Sequence, residues 1–409
     1  MHRSTETSSI RRSSLASIVG MRPTEVRSCP SFNIFSEWPL PGWARMNVKT
    51  YKSLQVCRAI AGMLVVLYHL GGAFGADKYF GTKLLEIAMS LGHRSVVFFF
   101  VLSGFIIIRL HYDDFGKPQR LADYCRKRII RIYPTYLIVL TAVYVSACAI
   151  PSLRDTVTHD PWVLLKTALL LPQDLHVVGG TGAPILIVAW SMQYEMVFYA
   201  LIGIFIFRKW LGAMAVCALL VNYFSCQLAG SCEFPRAFLA SDFMLPFVFG
   251  AVAAMIVRHP YRMREPLRIV AEAVAAIAFL RGLDLVFHTD VLFVDTALTY
   301  GVLSMILIVA LVHAEEAGLI SVGGHWARLA AAGYALYLLH FPIISVLCKA
   351  AVGLGVKGPV EIGITFALVF AMCVFVALLF HLFIERPLVG YLLTPGKKSE
   401  AAQGLRMTG

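Results

Sequence analysis

The sequence predicts an all-α, polytopic membrane protein with about ten transmembrane helices. Three observations predict it. The 409 residues are 58% hydrophobic and only 15% charged, outside the usual range of a soluble globular chain. Windows of about twenty apolar residues follow one another, the length a helix needs to cross a bilayer. The basic residues, which give a formal net charge of +12, gather between those windows, as the positive-inside rule leads one to expect. That distribution removes the argument for nucleic acid that so basic a chain would otherwise carry.

Taken in order, residues 1–50 are rich in Ser and Arg and hold no apolar run long enough for a signal peptide. They read as a disordered, basic cytoplasmic leader, with Met46 an alternative start just ahead of the first span. Spans are expected near 54–73, 93–110, 132–150, 184–207, 211–228, 237–257, 266–281, 291–312, 328–350 and 361–384, the seventh carrying the weakest pattern. The stretch 161–171 is apolar but too short to cross, so it lies at the interface or re-enters. Eight Lys/Arg precede the first span up to Lys52, and seven fall between Arg109 and Arg131. A further group, Arg258, Arg262, Arg264 and Arg268, follows the sixth span. The alternation puts both termini in the cytoplasm, with 391–409 as a cytoplasmic tail. Nine cysteines are scattered without CxxC pairs. Most act as small apolar residues within spans. Cys226 and Cys232 flank a predicted external loop, where pairing stays open. No HExxH, Walker loop or zinc spacing occurs, so no metal is expected.

Chemistry concentrates in four segments. The first span, LQVCRAIAGMLVVLYHL, keeps Arg58 and His69. Charged and titratable residues are costly in a membrane and mark function by default. Eleven residues at about 100° each return to within roughly 20° of one face, so the two side chains point the same way, about 16 Å apart along the axis. The bland alternative is that Arg58 snorkels to the inner interface and His69 sits at the outer one. The link LADYCRKRIIRIYPTY holds Arg126, Arg128 and Arg131 at the cytoplasmic surface. Guanidinium forks suit phosphates, although topology signalling and anionic lipid would also explain them. Arg126, two residues before Arg128, points elsewhere on a regular helix. In the second span, Ser103-Gly104 reads as a close-packing device. In the fourth span, AWSMQYEMVFYALIG, Glu195 is an intramembrane carboxylate with Ser191 one turn before it. It either orients His69, binds a sugar hydroxyl or pairs with Arg58. In the ninth, AAGYALYLLHFPI, a kink at Pro342 would present Tyr334, Tyr337 and His340 on nearby faces. The last span closes with Ile384-Glu385-Arg386-Pro387, an expected interfacial ion pair and stop signal.

Together these segments resemble the acyltransferase-3 family of integral membrane acyltransferases, most closely its exopolysaccharide and O-antigen O-acetyltransferase branch. The resemblance covers roughly residues 50–390. It rests on Arg58-x10-His69, FFFVLSGFII, the arginines before RIYP, WSMQYEMVFY, GYALYLLHFP and the terminal ERP, in that order. It implies a membrane acyltransferase domain over 51–390 in the bacterial inner membrane. It implies an acyl-coenzyme A donor from the cytoplasm and a glycan hydroxyl as acceptor, with no further cofactor. His69 would be catalytic, with Arg58 its essential partner and Glu195 a functional carboxylate. Arg126, Arg128 and Arg131 would bind donor, and Ser191, Tyr337 and His340 are further substrate-binding candidates. One departure is Gly333-Tyr334, where the family often has Ser-Tyr.

The expected function is therefore transfer of an acyl group, acetyl foremost, to an exopolysaccharide or its lipid-linked oligosaccharide precursor in contact with membrane lipids. Neutral imidazole is the side chain best matched to taking a sugar hydroxyl's proton near neutral pH. The rival is a glycolipid or polysaccharide transporter or flippase, which explains the buried charges but gains nothing from the arginine cluster.

Overall fold

The computed structural model describes residues 51–150, 154, 157–287 and 296–394. The expected leader at 1–50 and all but the start of the tail lie outside the described residues. Among those described, the chain is helical without a strand. Ten helices stand where spans are expected: α1 Lys52–Gly75, α2 Ser95–His111, α3 Leu121–Ala149, α4 Trp190–Phe207, α5 Lys209–Ala229, α6 Leu245–Arg258, α7 Pro266–Phe287, α8 Thr296–Glu316, α9 Gly333–Gly353 and α10 Pro359–Phe380.

Eight stretches among the described residues are long and apolar enough to cross a membrane. The elements that fall short are α6 and α7. The sixth span is broken at its start into Arg236–Leu239 and Asp242–Met244. That leaves α6 only 14 residues, about 21 Å against a hydrocarbon core of about 30 Å. Helix α7 is long enough but carries Arg268, Glu272, Arg281 and Asp284. The stretch near 161–171 becomes a short helix, Pro161–Ala168, whose start is fixed by the Asp160 carboxylate accepting from the amides of Trp162 and Val163. The arginine-rich link forms the first turns of α3 itself.

Packing is set by a few specific devices. The amino end of α1 has no side-chain cap of its own. Instead, Glu315 of α8 accepts from the amides of Lys52 and Ser53, at 2.9 and 2.8 Å, and from the Ser53 hydroxyl at 2.6 Å. A carboxylate there satisfies orphan donors and complements the helix dipole. Helices α2 and α6 meet glycine to glycine. A Cβ on Gly104 would strike the Phe247 carbonyl, and one on Gly250 would strike the Val101 carbonyl. Close backbone approach between small residues is the usual way helices associate in lipid.

The core has two parts. The larger joins Phe98, Val101 and Phe105 of α2 to Tyr136 of α3, Phe198, Ile202 and Ile206 of α4, Phe247 of α6 and Ile308 of α8. The smaller joins Val66, Leu70 and Phe74 of α1 to Ala335, Ile344 and Cys348 of α9 and Val369, Cys373 and Ala377 of α10. On its other face α10 exposes Ile364, Leu368, Met372, Phe375 and Leu379. That stripe at helical spacing suits lipid contact rather than water.

Candidate active site

Helices α1 and α9 run side by side in the same direction. A Cβ on Gly333 would lie 4.0 Å from Arg58 Nε, and one on Gly62 would lie 3.9 Å from Leu336 Cδ2. Further along, the rings of His69 and His340 are 5.2 Å apart. Arg58 and His69 thus mark the two ends of one seam, as their shared face requires.

At the His69 end lies a cavity of about 1020 Å³. Its wall includes His69, Tyr68, His93, Trp190, Gln193 and Tyr337, a mixture of aromatic surface and convergent polar groups typical of small-molecule sites. Tyr194 stacks on Phe238 at 4.2 Å, and Trp190 lies 4.9 Å from Phe243. These rings form an aromatic floor. Gln193 holds the neighbouring loop by donating to the carbonyls of Leu171 and Gly182 at 3.2 and 3.0 Å. Tyr337 donates to the Val188 carbonyl at 2.5 Å and sits 2.6 Å from Ser191 Oγ. His340 is fully buried and 6.0 Å, ring to ring, from Tyr337. Among the described residues a disulfide, Cys226–Cys232, closes the loop beside this wall, with Cys232 and Glu233 lining the cavity. Helix α9 continues through Pro342, and Tyr334 faces away from the cavity group, donating to the Ile132 carbonyl at 2.9 Å.

The Arg58 end is built differently. Arg58 Nη2 donates to the Ala330 carbonyl at 2.5 Å. Its electrostatic neighbours are Arg131, Glu385 and Glu195. Glu195 accepts from Ser103 Oγ at 3.3 Å and from the Tyr199 hydroxyl, so it lies with Arg58 and not on the cavity wall beside His69. Arg128 stands over Tyr199 and Tyr124, 5.5 and 5.7 Å from the ring centres. It donates to His111 Nε2 at 3.1 Å, which leaves His111 Nδ1 to donate to Asp114 at 3.0 Å. Arg126 turns away, as its spacing predicts, and donates to the Leu392 carbonyl at 3.0 Å. Arg131 has no hydrogen bond or ion pair among the described residues and keeps its fork open.

The predicted residues thus fall into two groups: His69, His340, Tyr337 and Ser191 at the cavity, and Arg58, Glu195, Arg128 and Arg131 at the other end. Glu385, expected in an ion pair closing the last span, is 8% exposed on a π-helical turn His381–Glu385, and its partner is His381, with Nδ1 2.8 Å away. Such turns recur at functional sites. The signal available was a carboxylate beside an apolar run. The aromatic floor had none, because its rings come from separate elements.

No solved structure matches the chain. It is similar, at 27% identity over 321 residues, to the exopolysaccharide production protein ExoZ of Rhizobium meliloti (strain 1021), covering 77% of this chain and 94% of that relative. A family model for the acyltransferase domain matches residues 51–382, a range that holds both ends of the α1–α9 seam. The chain belongs to the acyltransferase-3 family and is a multi-pass membrane enzyme that transfers acyl groups.

Proposed function

We propose that the enzyme transfers an acyl group, acetyl foremost, from acyl-coenzyme A to a hydroxyl of an exopolysaccharide or its lipid-linked precursor. The observation that carries this reading is the position of His69, on the wall of a large aromatic and polar cavity and in line with Arg58. The relative's role in exopolysaccharide production supports the choice of acceptor.

In this reading the sugar occupies the cavity and the donor's phosphates meet Arg58, Arg131 and Arg128. The arm between the nearer phosphorus and the thioester sulfur is about thirteen bonds, about 15 Å at the reach of an extended chain. That is comparable to the roughly 16 Å that separate Arg58 from His69. His69 takes the hydroxyl proton as the sugar oxygen attacks the thioester carbon. The carbon–sulfur bond breaks, and the proton passes to the departing thiolate, giving ester and free coenzyme A. Arg58 holds the donor, and Glu195 keeps the charge around it balanced. An oxidised pair beside the cavity suits the non-cytoplasmic side, which supports the charge-based reading in which the arginines face the cytoplasm of a bacterial inner membrane.

The test is release of free thiol by the purified chain, given acetyl-coenzyme A and unacylated surface polysaccharide from cells lacking it. Wild-type enzyme should release thiol and add mass to the glycan, while His69→Ala should do neither at normal expression. Most activity surviving in His69→Ala would overturn the reading.

A further inference from the structure

His340 is a buried imidazole beside His69 to which the proposed reaction gives no role. Its Nδ1 donates to the Leu336 carbonyl one turn back, at 2.9 Å. That bond fixes the tautomer: the ring proton is on Nδ1, and Nε2 carries a bare lone pair. Nε2 is buried and has no partner among the described residues. A buried acceptor without a donor costs about 1–3 kcal/mol, so it calls for one. The neighbouring rings are His69 at 5.2 Å and Tyr337 at 6.0 Å. The Tyr337 hydroxyl is already engaged with Val188 and Ser191. His69 has no hydrogen bond of its own among the described residues. Two imidazoles pointed nitrogen to nitrogen at that centroid separation are within hydrogen-bond reach, about 2.9 Å. Rotation of the partly buried His69 side chain would bring the pair to that geometry.

The geometry points to His340 as a positioning residue that accepts the N–H of His69 through Nε2 and so turns the other, unprotonated nitrogen of His69 toward the cavity. The inference rests on His69 being the base. When His69 takes the sugar proton, both its nitrogens carry hydrogen. The one facing His340 stays bonded to the Nε2 lone pair, and the other gives its proton to the departing thiolate. No proton is stored on His340. Its Nδ1 stays committed to the Leu336 carbonyl, which makes it an acceptor held in place by its own helix.

The discriminating pair is His340→Gln and His340→Met in the full-length enzyme. Both side chains are unbranched and of similar length. Gln can put an acceptor oxygen near the position of Nε2, and Met fills the space without one. Thiol release is measured with acetyl-coenzyme A and the unacylated surface polysaccharide, alongside thermal unfolding in detergent. Gln should keep most of kcat. Met should lose it by roughly tenfold or more, with KM for donor and acceptor within about twofold of wild type. Equal kcat in the two variants would overturn the assignment. So would a Met variant that is less stable but turns over normally, since Nε2 would then serve a buried water. If His69→Ala is inactive while His340→Met is normal, this inference alone fails. If His69→Ala is active, the base assignment beneath it fails.

Discussion

Arg58 gives one N–H to the Ala330 carbonyl and has two carboxylates, Glu195 and Glu385, as electrostatic neighbours. A lysine would keep the charge but lose the planar fork that serves carbonyl and phosphate together. Arg58→Lys is expected to cut kcat/KM for the donor by at least tenfold, about 1.4 kcal/mol, with expression unchanged. Normal donor kinetics in that variant would leave Arg58 a simple point charge. This residue and His69 were legible in the sequence because one helix carries both, so spacing alone fixes their common face. Glu385 was not. A π turn shifts the angular position of everything after it, and α-helical periodicity then misplaces the side chain.

Among the elements, α3 shows what hydropathy misses. An apolar window reports the part of a helix that lies in lipid, not where the helix begins. The arginines given to a link therefore sit on its first turns. Their roles divide there, since Arg128 faces the protein and Arg126 bonds the carboxyl-terminal segment. Arg128→Gln should raise the donor KM severalfold and leave the acceptor KM nearly unchanged, while Arg126→Gln should do markedly less. Steady-state titration of each substrate separates the two. The crossing of α2 and α6 gives a second expectation. A methyl at Gly250 meets backbone rather than a yielding side chain. Gly250→Ala should therefore cost about 1–3 kcal/mol, read as a lower unfolding temperature in detergent. The small residue Gly104 announced this contact, but its partner on α6 could not be read without the fold.

For the whole molecule, the sequence carried the all-α, multi-span architecture, because lipid leaves the backbone few choices. The cavity was illegible. Its wall draws on α1, α2, α4, α8, α9 and the loops around Asp174 and Glu233, brought together only by packing. The disulfide offers a test of which side that wall faces. After mild reduction of intact cells, a membrane-impermeant thiol reagent should label Cys226 and Cys232, while Cys125, exposed on α3 near the arginines, should stay unlabelled. The reverse pattern would invert the topology.

The neighbourhood of Arg58 also has an electrical meaning. At that end Arg58 and Arg131 are matched by two carboxylates, Glu195 and Glu385, while Arg128 is bonded to His111, which has the Asp114 carboxylate on its other side. A resting membrane acts on unbalanced charge with about 2.3 kcal/mol per charge per 100 mV, and a balanced quartet presents almost nothing for it to pull. The enzyme should therefore work at the same speed in an energised and a depolarised vesicle, with the free energy of the thioester as its sole drive. Ionophore added to proteoliposomes should leave the acyl-transfer rate where it was.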